Sequence, residues 1–185
     1  VTWTLGTTLG ANRVVAILQG TYVLDSAVFT APALTGPASR FTLVSGNAQT
    51  GQVASALPAP LTVNVRDQFD HPVVGARVAW AAGSFSGSVT AVPDTTDAAG
   101  NASARWTLGT QVTSMTATAT ITGVTPLVFS ATATPDTSRT LTVTAGSPQT
   151  GAAGVALPTN VTMKVADRFG NAIANDTVVF NDSTV

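Results

Sequence analysis

Leu61-Thr62-Val63-Asn64-Val65-Arg66-Asp67-Gln68-Phe69 returns as Val161-Thr162-Met163-Lys164-Val165-Ala166-Asp167-Arg168-Phe169, at an offset of 100 residues. Apolar side chains at every second position bury one face of a strand and wet the other. The Asp that closes both copies marks a turn, because its carboxylate can bond the backbone a short way on. A strand that ends in the same turn at a fixed distance is the signature of a repeated structural unit.

Further matches extend outward from this pair. Gln49-Thr50-Gly51 recurs as Gln149-Thr150-Gly151, Leu57-Pro58 as Leu157-Pro158, and Val78-x-Trp80 as Val178-x-Phe180, all at the offset of 100. Val28-Phe29 recurs as Val128-Phe129 at the same offset. Trp3-Thr4-Leu5-Gly6-Thr7 recurs as Trp106-Thr107-Leu108-Gly109-Thr110 at an offset of 103, so the first copy carries three extra residues between these two motifs. Met115, Ala117, Ala119 and Ile121 alternate with Thr116, Thr118 and Thr120 in another strand pattern. A period near 100 residues is too long for most solenoid units and suits one immunoglobulin-type sandwich.

Composition agrees. All nine acidic residues are Asp, and Lys164 is the only Lys among eight basic residues, so the usual surface-helix formers are missing. Thr and Val, which favour the pleated surface of a sheet, dominate instead. Sixteen Gly and ten Pro supply turns. We therefore expect an all-β chain of tandem immunoglobulin-like β-sandwich domains, one complete and two partial. Thr35-Gly36-Pro37 and Thr134-Pro135-Asp136 occupy matching places and read as joints. Residues 1-36 are then the C-terminal strands of a preceding repeat, 37-136 a complete repeat, and 137-185 the N-terminal strands of a following one. Trp3 lies in what reads as the middle of a strand, so the sequence resembles a piece of a longer or processed protein.

Net charge is −1 and only 9% of residues are charged, with no basic cluster, which argues against nucleic acid as a partner. Apolar runs fall short of the about 18 residues that a membrane span needs. Cysteine is absent, and a Thr-rich, nearly uncharged, cysteine-free β chain fits a bacterial exterior.

The run Val63-x-Val65-x-Asp67-x-Phe69, a turn, and Val78-x-Trp80 resembles the bacterial group 1 immunoglobulin-like repeat of invasin- and intimin-type adhesins. Met163-x-Val165-x-Asp167-x-Phe169-Gly170-Asn171 followed by Val178-x-Phe180 is similar. Asp97-Ala98-Ala99-Gly100-Asn101-Ala102 before Trp106-Thr107-Leu108-Gly109 resembles that family's later turn and strand. The resemblance implies an extracellular stalk or fibre on a bacterial surface, with neighbouring immunoglobulin-like domains of the same or an adjacent chain as partners.

His71, the one His, sits in a turn; a catalytic base would need a positioned partner, and a solvated turn residue is the simpler reading. Gly83-Ser84-Phe85-Ser86-Gly87 puts Phe85 where a nucleophile elbow has its Ser, and reads as a small-residue loop. Asp94, Asp97 and Asn101 could offer oxygens to calcium, and Asp136 could do so at a joint, but turn capping is the simpler role. Asp67 and Asp167 recur at strand ends, which argues for turn geometry. Trp3, Trp80 and Trp106 could stack on sugars; their alternation places them in a core instead. Asn101, Asn160, Asn175 and Asn181 begin glycosylation sequons. Asn64 stands where the next copy has Lys164, which excludes a repeated Lys–Asn isopeptide staple.

No catalytic, cofactor or metal residue is assigned, and the chain is not expected to be an enzyme. The leading expectation is a structural or adhesive array. One alternative is a filament subunit that joins head to tail by completing split domains. Another is an accessory carbohydrate-binding region of a secreted enzyme, with surface glycans as partners.

Overall fold

The computed structural model describes residues 2–19 and 25–181, and these carry twelve strands and no helix. None of them forms a helix long and apolar enough to cross a membrane. The central part holds eight strands: β3 (Arg40–Ser45), β4 (Gln49–Gln52), β5 (Leu61–Arg66), β6 (Ala79–Ala82), β7 (Ser88–Ala91), β8 (Asn101–Thr107), β9 (Ser114–Ile121) and β10 (Val124–Thr134). They form two four-stranded sheets, ordered β3-β5-β8-β7 and β4-β10-β9-β6. β3 pairs antiparallel with β5, whereas β4 runs parallel to β10, with Gln49 opposite Ala131 and Gln52 opposite Thr134. The first strand thus crosses from one sheet to the other, and the order is that of an immunoglobulin sandwich.

The crossing depends on Gly46. Its φ is +86°, and a Cβ there would stand 2.3 Å from the Pro60 carbonyl oxygen. Only glycine meets both conditions. Gln49, the first residue of the recurring Gln-Thr-Gly motif, clamps the segment. Its Nε2 donates to the Gly46 and Ala59 carbonyls at 2.8 and 3.0 Å, and its Oε1 accepts from Ala59 N at 2.9 Å. Gln149 repeats the set with Gly146 and Thr159.

Alternating residues from both sheets meet in the core. Leu61, Val63 and Val65 of β5 face Trp106 of β8, Met115 and Ala117 of β9 and Phe129 of β10, all buried. Trp106 is the largest of the fully buried side chains, and its Nε1 donates to the Ser86 carbonyl at 2.7 Å. This satisfies the indole's one polar group inside the sandwich. Trp80 is half-buried and lies against Phe129, with ring centroids 5.9 Å apart. Its Nε1 is buried with no hydrogen-bond partner.

Two hairpins flank the sandwich. β1 (Gly10–Leu18) pairs with β2 (Asp25–Ala33), with Val14 opposite Phe29. In the sandwich Ala117 faces Phe129, so the register is the same once the offsets of 103 and 100 are applied. The three extra residues of the first copy therefore fall between Leu18 and Asp25 in the sequence. β11 (Thr140–Ala145) pairs with β12 (Thr162–Ala166) and shifts register between Val143 and Ala145, as β3 and β5 do between Leu43 and Ser45.

Trp3 departs from expectation. Residues 2–6 form no strand, and Trp3 is 36% exposed rather than in a core. No second sheet faces this hairpin among the described residues, so no core closes over the indole. For the same reason Val161, expected to point inward, is 54% exposed, while its counterpart Leu61 is fully buried.

Candidate functional site: the joints between repeats

The recurring Asp residues are the most densely bonded side chains of the molecule. β5 and β12 each end in a tight turn that folds the Asp carboxylate back under its own backbone. Asp67 Oδ1 accepts from Phe69 N at 2.8 Å and His71 N at 2.9 Å, and Asp167 Oδ1 accepts from Phe169 N and Asn171 N, both at 2.9 Å. This much is the expected turn geometry. The second carboxylate oxygen does something else. Asp67 Oδ2 accepts from Gly36 N at 3.0 Å, and Asp167 Oδ2 accepts from Asp136 N at 3.2 Å. Gly36 and Asp136 lie in the segments expected to be joints, each 31 positions before its Asp. Each Asp therefore ties the segment entering a repeat to the base of that repeat.

Both carboxylates are almost fully buried. Burial alone would raise their pKa values, but the hydrogen bonds outweigh it. Bonds from Gly36, His71 and Phe69 hold Asp67 well below the usual carboxylate range. Bonds from the Asn171 side chain and from the Asn171, Asp136 and Phe169 backbones lower Asp167.

Around the second joint the network continues. Asn171 Nδ2 donates to Asp167 Oδ2 at 2.8 Å and to the Thr110 carbonyl at 2.8 Å, and Asn171 Oδ1 accepts from Val112 N at 3.2 Å. Thr110 and Val112 belong to the β8–β9 loop of the sandwich, so this amide spans the joint. Asp136 Oδ1 accepts from Ser138 N at 2.8 Å and from the Ser138 hydroxyl, and its Oδ2 pairs with Arg168 Nε at 2.6 Å. Arg168 N in turn donates to Ser138 Oγ at 2.7 Å. At the first joint, His71 Nδ1 lies 3.1 Å from Asp67 Oδ2.

Each side chain considered for calcium has a protein partner on at least one oxygen. Asp97 Oδ1 accepts from Ala99 N and Asn101 N at 2.9 and 2.8 Å, Asp94 pairs with Arg77 at 3.2 Å, and Asn101 Oδ1 accepts from Asn64 Nδ2 at 2.8 Å. No cluster of three or more metal-ligating residues occurs among the described residues. Gly83-Ser84-Phe85-Ser86-Gly87 is a turn, in which Phe85 has φ +60° and is 72% exposed. Asn160, Asn175 and Asn181 are exposed and Asn101 is half-buried; Ser183 of the last sequon lies outside the described residues.

The joint contacts were not foreseen from the sequence. The available signal was the shared 31-residue separation between each joint and its recurring Asp. The role of the Gln-Thr-Gly motif was equally unread.

No family model matches the chain, and no curated protein does. Among solved structures, the chain is similar to the Escherichia coli adhesin FdeC, at 13% identity and a TM-score of 0.52, over 92% of this chain and 54% of that one. It is also similar to domains 4–9 of the surface layer protein SbsC, at 15% identity and a TM-score of 0.49, over 94% of this chain and 27% of that one. The chain thus spans about half the length of the first structure and about a quarter of the second. At such identities the likeness is one of architecture: this is an all-β chain with a complete immunoglobulin-like sandwich between two partial ones.

Proposed function

We propose that the chain is part of an extracellular structural or adhesive array, a stalk or fibre of immunoglobulin-like repeats on a bacterial surface, of the group 1 kind found in invasin- and intimin-type adhesins. The observation that carries this reading is the repeated joint. The same buried Asp holds the same entering segment at 36/67 and at 136/167, so consecutive units are strung head to tail with defined ends. The reading keeps the expected repeat boundaries at 37-136. A cysteine-free, weakly charged chain suits such a spacer, and the adhesin and surface-layer likenesses support the setting. No catalytic role is part of this reading. Small-angle scattering of chains with increasing repeat number tests it, since a stalk lengthens in proportion to that number. Protease shaving of intact cells must also release the protein. A maximum dimension that fails to grow, or a protein protected inside cells, overturns the reading.

A second reading has its own observation. The core-facing sides of both flanking hairpins are open: Phe29 is 55% exposed where Phe129 is fully buried, and Leu141 is 54% exposed where Phe41 is 8%. Further immunoglobulin-like strands cover such faces, either from the same chain or from a neighbouring chain, which would build a filament by complementation. The denaturing mass of the native protein separates these: a value near 18.6 kDa favours complementation, and a several-fold larger one favours a continuous array. The carbohydrate-binding reading retains only Trp3, which is 36% exposed, since Trp106 lies in the core and Trp80 packs on Phe129.

A further inference from the structure

The two joints share a latch but differ in everything around it, and we infer that the second joint is rigid while the first is a hinge. The inference rests on the reading of the chain as strung repeats. At the second joint, one carboxamide uses both hydrogens and its oxygen. Asn171 Nδ2 donates to Asp167 Oδ2 and to the Thr110 carbonyl, and Oδ1 receives Val112 N. A planar group with a donor and an acceptor at one end can grip a backbone carbonyl and N–H that lie side by side.

His71 replaces it at the first joint. Its Nδ1 faces Asp67 Oδ2 at 3.1 Å. With Nδ1 turned to the carboxylate, the ring's other nitrogen lies across the imidazole, so the side chain cannot present an adjacent donor and acceptor to the loop as the carboxamide does. Among the described residues, no hydrogen bond joins His71 to residues 6–10, the counterpart of the β8–β9 loop.

The joint residue differs in the same direction. Asp136 is anchored by its side chain to Ser138 and Arg168. Gly36 has no side chain to anchor, and Gln68 stands where the other copy has Arg168. The first joint is therefore tied across by the Gly36 N to Asp67 Oδ2 bond at 3.0 Å, and glycine there widens the accessible backbone space.

The absence of Cys allows paired spin labels to be placed at will in the full chain. Thr90→Cys with Thr142→Cys spans the second joint, and Thr30→Cys with Thr90→Cys spans the first; all three sites are exposed. Pulsed electron resonance is expected to give a narrow distance distribution across the second joint and a broad one across the first. Exchanging Asp136→Gly with Asn171→His should broaden the second to the width of the first. Gly36→Asp with Ala38→Ser, Gln68→Arg and His71→Asn, which supplies every partner found at the second joint, should narrow the first. Circular dichroism melts of each variant confirm that the sandwich remains folded. Equal widths in the parent chain, or a second joint unchanged by its double substitution in a folded protein, overturn the inference. Those results would leave the array reading standing, since that reading fails on overall length and surface exposure.

Discussion

Trp106→Phe and Trp80→Phe delete the same atoms from two core-facing indoles, yet opposite outcomes are expected. Trp106 is fully buried, and its Nε1 donates to the Ser86 carbonyl at 2.7 Å. Phenylalanine would leave that carbonyl without its partner in a dry interior, which costs about 1–3 kcal/mol besides the lost packing. Trp80 Nε1 is buried with no partner among the described residues, so the wild type already carries a comparable penalty, and removing the N–H relieves about 1–3 kcal/mol, offset in part by the packing lost to phenylalanine. Phe180 occupies the equivalent place in the next copy, so the backbone accepts phenylalanine there. The two variants should differ by about 2–6 kcal/mol, the sum of these ranges. For a sandwich of this size, even the lower end separates their melting temperatures by about 8 °C. Far-UV circular dichroism is the assay, because tryptophan fluorescence changes with the substitution itself. Equal melting temperatures, or a Trp80→Phe variant that melts below Trp106→Phe, would refute the assignment of the two indole environments.

Other perturbations probe the joints and the crossing strand. Gly46→Ala combines φ +86° with a Cβ 2.3 Å from a carbonyl oxygen, and should destabilise by upwards of about 3 kcal/mol in urea titrations. Gly75→Ala, at φ +72° with nothing within 4 Å, meets only the backbone strain and should lose about 1–2 kcal/mol. Gln49→Ala removes three hydrogen bonds and should cost about 1–3 kcal/mol, read as a lowered denaturation midpoint. Asp67 and Asp167 have folded pKa values below their unfolded values, so the stability they contribute is present above about pH 4 and is lost as the pH falls through the folded pKa values. Melting temperatures measured between neutral and strongly acidic pH should fall at the acid end, and Asp67→Asn should shrink that fall. A melting temperature that rises on acidification below about pH 4 would contradict the sign.

The all-β class, the repeat and the strand faces of the sandwich were legible in the sequence because they are local or strictly periodic. Alternation at every second residue states which side of β5 faces inward without reference to any other strand, and the offset of 100 needs only comparison of the chain with itself. The sheet order, the parallel pairing of β4 with β10, and the bonds from Asp67 to Gly36 and from Asn171 to Thr110 join residues far apart in the chain. No local pattern encodes those partners. Trp3-Thr4-Leu5-Gly6-Thr7 and Trp106-Thr107-Leu108-Gly109-Thr110 are the same five residues, yet Trp3 is 36% exposed and Trp106 is 1%. Sequence determines that a side chain is apolar; burial is decided by whether another sheet lies opposite to exclude the water, and that is a property of the assembled structure alone.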